Sequence, residues 1–290
     1  MTKDDGNDGG KGRSVEETAR DFVRAGAGGL LVGLPLLWTQ EMWDMGATLA
    51  PLKLLVLLGL AFGIVAGYNA MAGFRRERSV VELLVDAVEG FGISVVIATA
   101  ALFVLGRLEP ELGPGVLVAR IALLTIPVAF GSSLAATLLS DPEEGGREEP
   151  VGPVGRLLVA GAGALYFALN VAPTEEVRIV GSEADWPLLL LAIGASLLIG
   201  LVIVFEAGFP GGRGHEGGAT PLHGRFGETI AAYAVALGIS YVLLWAFGST
   251  DGVGPRGIVG EVIMLGILAT FGAATGRLLV GGGSSGGETT

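Results

Sequence analysis

The sequence predicts an all-α, polytopic membrane protein with about eight transmembrane helices, arranged as two parallel four-helix repeats. Of the 290 residues, 51% are hydrophobic and only 16% are charged, whereas soluble domains carry about 25% charged residues. The apolar residues form long blocks, and the block 188–205 contains no charge. Such a block is typical of a membrane-spanning helix. The 50 glycines suit helices that approach one another closely in lipid.

Composition excludes several other classes. The chain has no cysteine, which excludes disulfides and thiol chemistry. Its net charge of −11 argues against nucleic acid as a partner, because a phosphate backbone selects basic surfaces. Residues 1–13 are polar and glycine-rich and do not resemble a signal peptide. We therefore expect the first spanning helix to direct insertion.

Proline marks the starts of several predicted spans. Pro51, Pro114, Pro187 and Pro255 each stand near the first turn of an apolar segment, where the missing N–H does no harm. The predicted spans are 24–46, 51–74, 80–106, 115–139, 155–174, 187–209, 226–248 and 257–280. The predicted domains are a cytoplasmic N-terminal tail (1–20), the first four-helix repeat (21–140), an acidic linker (141–153), the second four-helix repeat (154–281) and a disordered tail (282–290).

Lysine and arginine are divided unequally between the two predicted faces. With eight spans both termini share one face, which carries 13 Lys and Arg residues, and the other face carries 5. Cytoplasmic loops are enriched in these residues. Both termini are therefore predicted to be cytoplasmic.

The two halves of the chain resemble each other in order. At an offset of 135 residues, Glu41 aligns with Glu176, and at an offset of 146, Glu82 aligns with Glu228. The offset changes only between predicted spans, as loop insertions would make it do. We interpret this order as a duplication. Because each unit has an even number of spans, both copies would insert with the same orientation, related by an axis along the membrane normal.

Three motifs carry a resemblance to a known family: GLPLLWTQEMW (Gly33 to Trp43), AGFR (Ala72 to Arg75) and ALNVAPTEE (Ala168 to Glu176). With them the chain resembles an uncharacterised family of prokaryotic integral membrane proteins, catalogued as a domain of unknown function. The resemblance covers most of the chain outside the tails. It implies a multi-pass protein of the plasma (inner) membrane of a prokaryote, and it assigns no functional residues.

Two Thr-x-Glu motifs are the first candidate site. Thr39 and Glu41 correspond to Thr174 and Glu176, with Glu175 beside the latter, and both motifs are predicted near the outer ends of their spans. Carboxylate, hydroxyl and carbonyl oxygens are ligands for small hard cations. An axis between the repeats could bring Glu41 and Glu176 together. The alternative is that these acids only mark the aqueous end of a helix.

An acidic stripe near the inner face is the second candidate. Glu82, Asp86 and Glu89 share one helix face, and Glu228 follows in the seventh span. A stripe facing lipid is untenable, so it would line an inner vestibule or a proton relay. The alternative is a solvated cytoplasmic extension of the third span.

Arg120 and Glu261 form the third set, because they align at an offset of 141 in the fourth and eighth spans. Opposite charges at related positions could pair across the repeat axis. Such a pair would fix the register of packing more than it would add stability. A gate or a substrate contact is the alternative.

These sets favour a channel or transporter for a small cation, including a proton-coupled one, with the Thr-x-Glu motifs lining the outer pathway. The alternative is a structural or regulatory membrane protein without transport activity. We expect no enzymatic activity, cofactor or metal site, since no nucleophile–base pair or ligand cluster is apparent. The expected partners are the lipid bilayer and the cation. A homodimer would present four Thr-x-Glu motifs.

Overall fold

The computed structural model describes residues 15–72, 79–138, 153–207 and 225–281. Within these ranges the chain is helical, with no strand. The α-helices are α1 (Val15–Leu37), α2 (Gln40–Thr48), α3 (Pro51–Ala72), α4 (Val80–Val104), α5 (Pro114–Leu138), α6 (Pro153–Leu169), α7 (Glu175–Glu183), α8 (Trp186–Ala207), α9 (Arg225–Ala246) and α10 (Pro255–Gly281), and a short 3-10 helix (Pro110–Leu112) precedes α5. We call residues 15–138 the first half and residues 153–281 the second half.

The all-α, polytopic class predicted from the sequence is confirmed. Among the described residues, five helical segments are long and apolar enough to cross a membrane, and three shorter helices are also apolar. The five are Val81–Val104, Pro114–Ala135, Trp186–Ile203, Phe226–Ala246 and Pro255–Gly276, and the shorter ones are Val23–Leu37, Pro51–Gly67 and Val154–Leu169. The finer number of eight spans stays a prediction.

The predicted helix starts at proline are also confirmed. Pro51, Pro114 and Pro255 are the first residues of α3, α5 and α10, and Pro187 is the second residue of α8. Proline is favoured there because its φ angle is already helical and the first N–H groups of a helix have no partner within the helix.

The predicted spans 24–46 and 155–174 are wrong at their outer ends. α1 ends at Leu37 and α6 at Leu169, and a nine-residue helix follows each of them. The backbone is extended at Thr39 (φ −93°, ψ 130°) and Thr174 (φ −90°, ψ 155°), directly before α2 and α7. Threonine followed by acidic residues in the first turn is typical of a helix N-terminus. Each span therefore gives way to a separate short helix.

Each half is built around its last helix. α5 packs against α1, α2, α3 and α4, and α10 packs against α6, α7, α8 and α9. The halves meet mainly where α3 packs against α6 and α9. The Lys53 ammonium lies 2.9 Å from the Asp251 carboxylate across this junction. The Tyr166 hydroxyl also donates to the Val32 carbonyl at 3.3 Å.

Glycine allows the closest helix approach in both halves. A Cβ on Gly131 of α5 would overlap the carbonyl oxygen of Gly28 in α1. In the second half, a Cβ on Gly272 of α10 would overlap the carbonyl oxygen of Gly163 in α6. Small residues let helix backbones pack this closely in lipid. α1 and α6 are thereby held against the central helices α5 and α10.

Candidate outer site and buried charges

The Thr-x-Glu motifs form the N-terminal ends of α2 and α7. Thr39 and Thr174 are half-buried and precede these helices, whereas Glu41, Glu175 and Glu176 in the first turns are exposed. The Thr39 hydroxyl donates to the Leu36 carbonyl at 2.9 Å, and the Thr174 hydroxyl donates to the Val171 carbonyl at 2.8 Å. Each threonine thus closes the end of the preceding helix.

Glu176 is held in its charged form. A hydrogen bond from its own backbone N–H lowers the pKa of this carboxyl below its usual value, and the Thr174 hydroxyl adds to the effect. Both donors favour the carboxylate over the neutral acid. Glu176 is therefore suited to attract cations and poorly suited to exchange protons near neutral pH.

The two motifs do not come together in the structure. α2 packs against α5 and α7 packs against α10, while α2 and α7 do not pack against each other. The expected approach of Glu41 to Glu176 across a repeat axis is therefore not seen within this chain.

The inner acidic stripe begins at the start of α4. Glu82 lies in the first turn, where its backbone N–H donates to the Ser79 hydroxyl at 3.3 Å. Glu82 and Glu89 are exposed and Asp86 is half-buried. Glu228, in the first turn of α9, lies 3.4 Å from the Arg156 guanidinium of α6. Arg156 therefore partly neutralises the acidic residue of the second half.

Arg120 is a buried cation whose hydrogen bonds go to the backbone. Only 5% of its surface is exposed. Its Nε donates to the Trp43 carbonyl at 3.1 Å, and its Nη1 donates to the Arg107 carbonyl at 2.6 Å. α2 lies directly against it, since a Cβ on Gly46 would be 2.7 Å from the Arg120 Cα. Arg120 thereby ties α2 and the end of α4 to α5.

Glu261 is the most unusual group in the described part of the chain. None of its surface is exposed, and neither carboxylate oxygen has a hydrogen-bond partner among the described residues. α7 covers it, since a Cβ on Gly181 would lie 2.6 Å from the Glu261 Cα. Buried carboxylates are normally paired or hydrogen-bonded. Glu261 therefore needs a neutralising partner.

Two arginines, one on α7 and one at the start of α10, lie in the region of Glu261. The Arg178 guanidinium of α7 is near enough to act on the Glu261 charge without a hydrogen bond. Arg256 donates through Nη2 to the Ala184 carbonyl and lies 5.4 Å from the centre of the Trp186 ring, and its buried Nη1 has no partner among the described residues. Both cations thus lie near the N-terminal end of α10.

The expected pair between Arg120 and Glu261 is not formed. The Arg120 guanidinium is committed to carbonyls of the first half, while Glu261 is enclosed between α7 and α10 in the second half. The two residues therefore lie in separate halves of the described chain.

A family comparison bears on the whole chain. A family model described as "Putative integral membrane protein (DUF2391)" matches residues 21–280. The chain belongs to this family. No curated protein and no solved structure is significantly similar to the chain. DUF2391 membership establishes the integral membrane class and confirms the resemblance carried by the three motifs.

Family membership assigns no site, so the site of this DUF2391 protein has to be argued from its own residues. The alignment with Arg120 pointed to Glu261, but its enclosure by α7 depends on tertiary packing. Arg107, whose guanidinium lies 4.0 Å from the centre of the Trp43 ring, was not singled out by sequence reasoning. A threonine followed by an acid in the first turn, Glu41 after Thr39 and Glu175 after Thr174, could have revealed α2 and α7 as separate helices.

One cavity lies between the halves of this DUF2391 protein. Its volume is about 200 Å³, and its lining residues come from α1, α3, α5, α6 and α10. The lining is almost wholly apolar, with Val65, Phe130 and Phe167 among its members. An apolar cavity of this kind provides few ligands for a cation. The candidate ion site is therefore the region around Glu261.

Proposed function

We propose that this protein is a membrane transporter for a small cation, coupled to or competing with protons, and that Glu261 is the carboxylate that binds the cation. The observation that carries the proposal is the complete burial of Glu261 without a hydrogen-bond partner in the described chain. The protein is proposed to act by transport and not as an enzyme. The proposed setting is the plasma membrane of a prokaryote, with both termini cytoplasmic.

The energy of an ionised buried carboxylate supports a binding role. A charged residue inside a membrane span costs about 2.5–3.5 kcal/mol on insertion scales. Glu261 is the seventh residue of α10, about 9 Å from the first residue along the helix axis. At this depth a proton or a small cation would remove the uncompensated charge. Because Glu261 has no exposed surface, an enclosed transporter site fits it better than an open channel.

Arg178 supplies a built-in competitor for the cation. Its guanidinium attracts the Glu261 carboxylate, yet the carboxylate oxygens have no hydrogen bond in the described chain. We propose that Arg178 partly neutralises Glu261 when the cation is absent and yields to the cation when α7 moves away from α10. This exchange would keep the charge of Glu261 neutralised both with and without the bound cation.

The outer segments provide an entrance that attracts cations. Segments 38–50, 105–113, 170–185 and 247–254 carry nine carboxylates and two arginines. The carboxylates are Glu41, Asp44, Glu109, Glu111, Glu175, Glu176, Glu183, Asp185 and Asp251, and the arginines are Arg107 and Arg178. Clustered charge of one sign raises the local concentration of counter-ions. We therefore propose that the Thr-x-Glu motifs belong to this entrance, and that Glu82, Asp86 and Glu228 belong to an inner vestibule.

A duplicated, eight-span arrangement is part of the proposal. The order of helices and the role of the last helix are the same in α1–α5 and α6–α10. The close approach of Gly46 to Arg120 corresponds to that of Gly181 to Glu261. Likewise, the close approach of Gly28 to Gly131 corresponds to that of Gly163 to Gly272. We propose that the two halves are parallel repeats whose corresponding positions have diverged. In the first half a buried arginine is satisfied by backbone carbonyls, and in the second a carboxylate is left for the cation.

The test is a flux assay in liposomes that contain the purified protein. Na⁺, K⁺ and proton gradients are applied in turn, and ion movement is followed by fluorescence. Wild type is expected to move at least one of these cations and Glu261→Gln to lose that flux. Glu111→Gln, which removes one of the nine exposed or partly exposed entrance carboxylates, should keep most of it. Wild-type flux in Glu261→Gln would leave Glu261 with a packing role and favour the structural alternative.

A further inference from the structure

We infer that the exposed face formed by α1 and α4 binds α8 of a second copy of this chain. The inference rests on the proposed relation between the halves, and it concerns surfaces that do not include Glu261. Its starting point is that the halves meet through unlike faces: α3 of the first half packs against α6 and α9 of the second.

The internal junction has a defined centre. A Cβ on Gly161 of α6 would lie 3.7 Å from a methyl of Val235 in α9 and 3.9 Å from a methyl of Ile64 in α3. Towards the inner end, a Cβ on Gly67 of α3 would lie 2.8 Å from a Leu158 methyl in α6. α3 therefore fills the groove between α6 and α9.

The corresponding groove between α1 and α4 is not covered by another described helix. Leu165 of α6 is 1% exposed, while its counterpart Leu30 of α1 is 38% exposed. The counterpart of Leu158 is Val23, which is 71% exposed. On the other wall, Ala246 of α9 is buried, whereas its counterpart Ala100 of α4 is exposed. The first half thus presents the groove that the second half has covered.

The matching face of α8 is free at the same time. α8 corresponds to α3, and it packs against α9 and α10 but makes no comparable contact with α1 or α4 in the described chain. Val202, the counterpart of Gly67, is 52% exposed. Leu188, the counterpart of the junction residue Lys53, is exposed as well. The described chain therefore contains one filled junction, together with a groove (α1–α4) and a helix (α8) that would form a second junction of the same kind.

Glu89 argues that a protein neighbour, and not lipid alone, covers the α1–α4 face. It is exposed on α4 and lies inside the candidate span Val81–Val104. A carboxylate facing lipid within a span is costly and rare. Its counterpart in α9 is Val235, which lies at the filled junction.

Unlike faces generate a closed ring when the rotation from one unit to the next closes, and an open filament when it does not. Two chains can place α8 of each in the α1–α4 groove of the other. The resulting dimer would be a ring of four halves with four equivalent junctions, two within chains and two between them. Such a ring would also bring the outer acidic segments of both copies around one axis.

Disulfide trapping tests this arrangement directly, because the chain has no native cysteine. Two differently tagged chains are co-expressed in membranes, one carrying Val23→Cys and the other Val202→Cys. These positions correspond to Leu158 and Gly67 of the internal junction. We expect an intermolecular disulfide after mild oxidation, and a dimer by light scattering in detergent. Gly67→Cys with Leu158→Cys in one chain is the positive control.

Val88→Cys with Val202→Cys is the matched negative control, because Val88 and its counterpart Ala234 are both exposed. The proposal is overturned if the internal control forms while Val23→Cys and Val202→Cys do not, or if Val88→Cys reacts as readily. A monomer in detergent without trapping in membranes would overturn it as well. Trapping needs no transport activity, so a trapped but inactive protein would sink the proposed function and leave this interface standing.

Discussion

The two halves of the protein use the same backbone packing to enclose groups of opposite charge. In the first half, α2 lies on Arg120 through Gly46, and the guanidinium donates to two carbonyls. In the second half, α7 lies on Glu261 through Gly181, and the carboxylate has no hydrogen bond in the described chain. The buried charge of Arg120 is therefore satisfied within the first half, whereas the buried charge of Glu261 needs a proton, a cation or a movement of Arg178.

Substituting the glycines at the closest helix contacts, Gly131 and Gly272, should lower the stability of the protein most, and by an equal amount in both halves. Gly131→Val and Gly272→Val each force side-chain atoms into a facing carbonyl. Overpacking typically costs about 1–3 kcal/mol and occasionally more, so we expect loss of folded protein or a large fall in Tm. Thermal unfolding in detergent measures it.

Gly59→Val and Gly194→Val are the controls for these substitutions. No atom lies within 4 Å of a Cβ at either glycine, so both variants should fold. A mild effect of Gly272→Val with a severe effect of Gly131→Val would break the equivalence of the halves.

Removing the charge of Arg120 and removing the charge of Glu261 should have different effects on the stability of the protein. Arg120→Met leaves the Trp43 and Arg107 carbonyls without the Arg120 donors, so we expect a loss of about 2–3 kcal/mol. Glu261→Gln removes a buried charge without breaking a hydrogen bond in the described chain, so stability should stay the same or rise. Paired thermal unfolding curves decide this point, and a large loss of stability in Glu261→Gln would show that the carboxylate is already paired.

Much of this architecture could be predicted from sequence, because uninterrupted apolar blocks and prolines at helix starts depend on local chemistry. Pro51 and Pro255 begin helices as expected. The break at Thr39 was missed because apolar residues continue on both sides of it, whereas the fifth span was predicted to end at Thr174 and its helix ends at Leu169. The isolation of Glu261 could not be predicted, since it depends on α7 folding back over α10. Only the alignment with Arg120 indicated that the position was special.

Arg178 should tune the cation site without creating it. Arg178→Gln removes the guanidinium that attracts Glu261, so a transported cation should meet less competition. We expect the apparent KM for the cation to fall about fivefold, which corresponds to ~1 kcal/mol, with kcat little changed. Initial flux at graded cation concentrations provides the values. A raised KM would show that Arg178 helps to bind the cation instead of competing with it.

Glu176 should have the smallest effect. A hydrogen bond from its own N–H, together with the Thr174 hydroxyl, lowers its pKa, so it stays ionised above its usual pKa and does not titrate between about pH 5 and 8. Glu176→Gln should leave the pH profile of flux unchanged. It should raise the apparent KM less than about twofold at low salt, an effect that salt removes. A shifted pH profile would instead make Glu176 a proton-exchanging group.

Infrared difference spectroscopy of the purified protein tests the role of Glu261 most directly. Adding the transported cation should change one carboxyl vibration in wild type and in Glu176→Gln, as the cation displaces a proton or Arg178 from Glu261. The same difference band should be absent in Glu261→Gln. A band that persists in Glu261→Gln would show that the cation binds elsewhere and would contradict the proposed site.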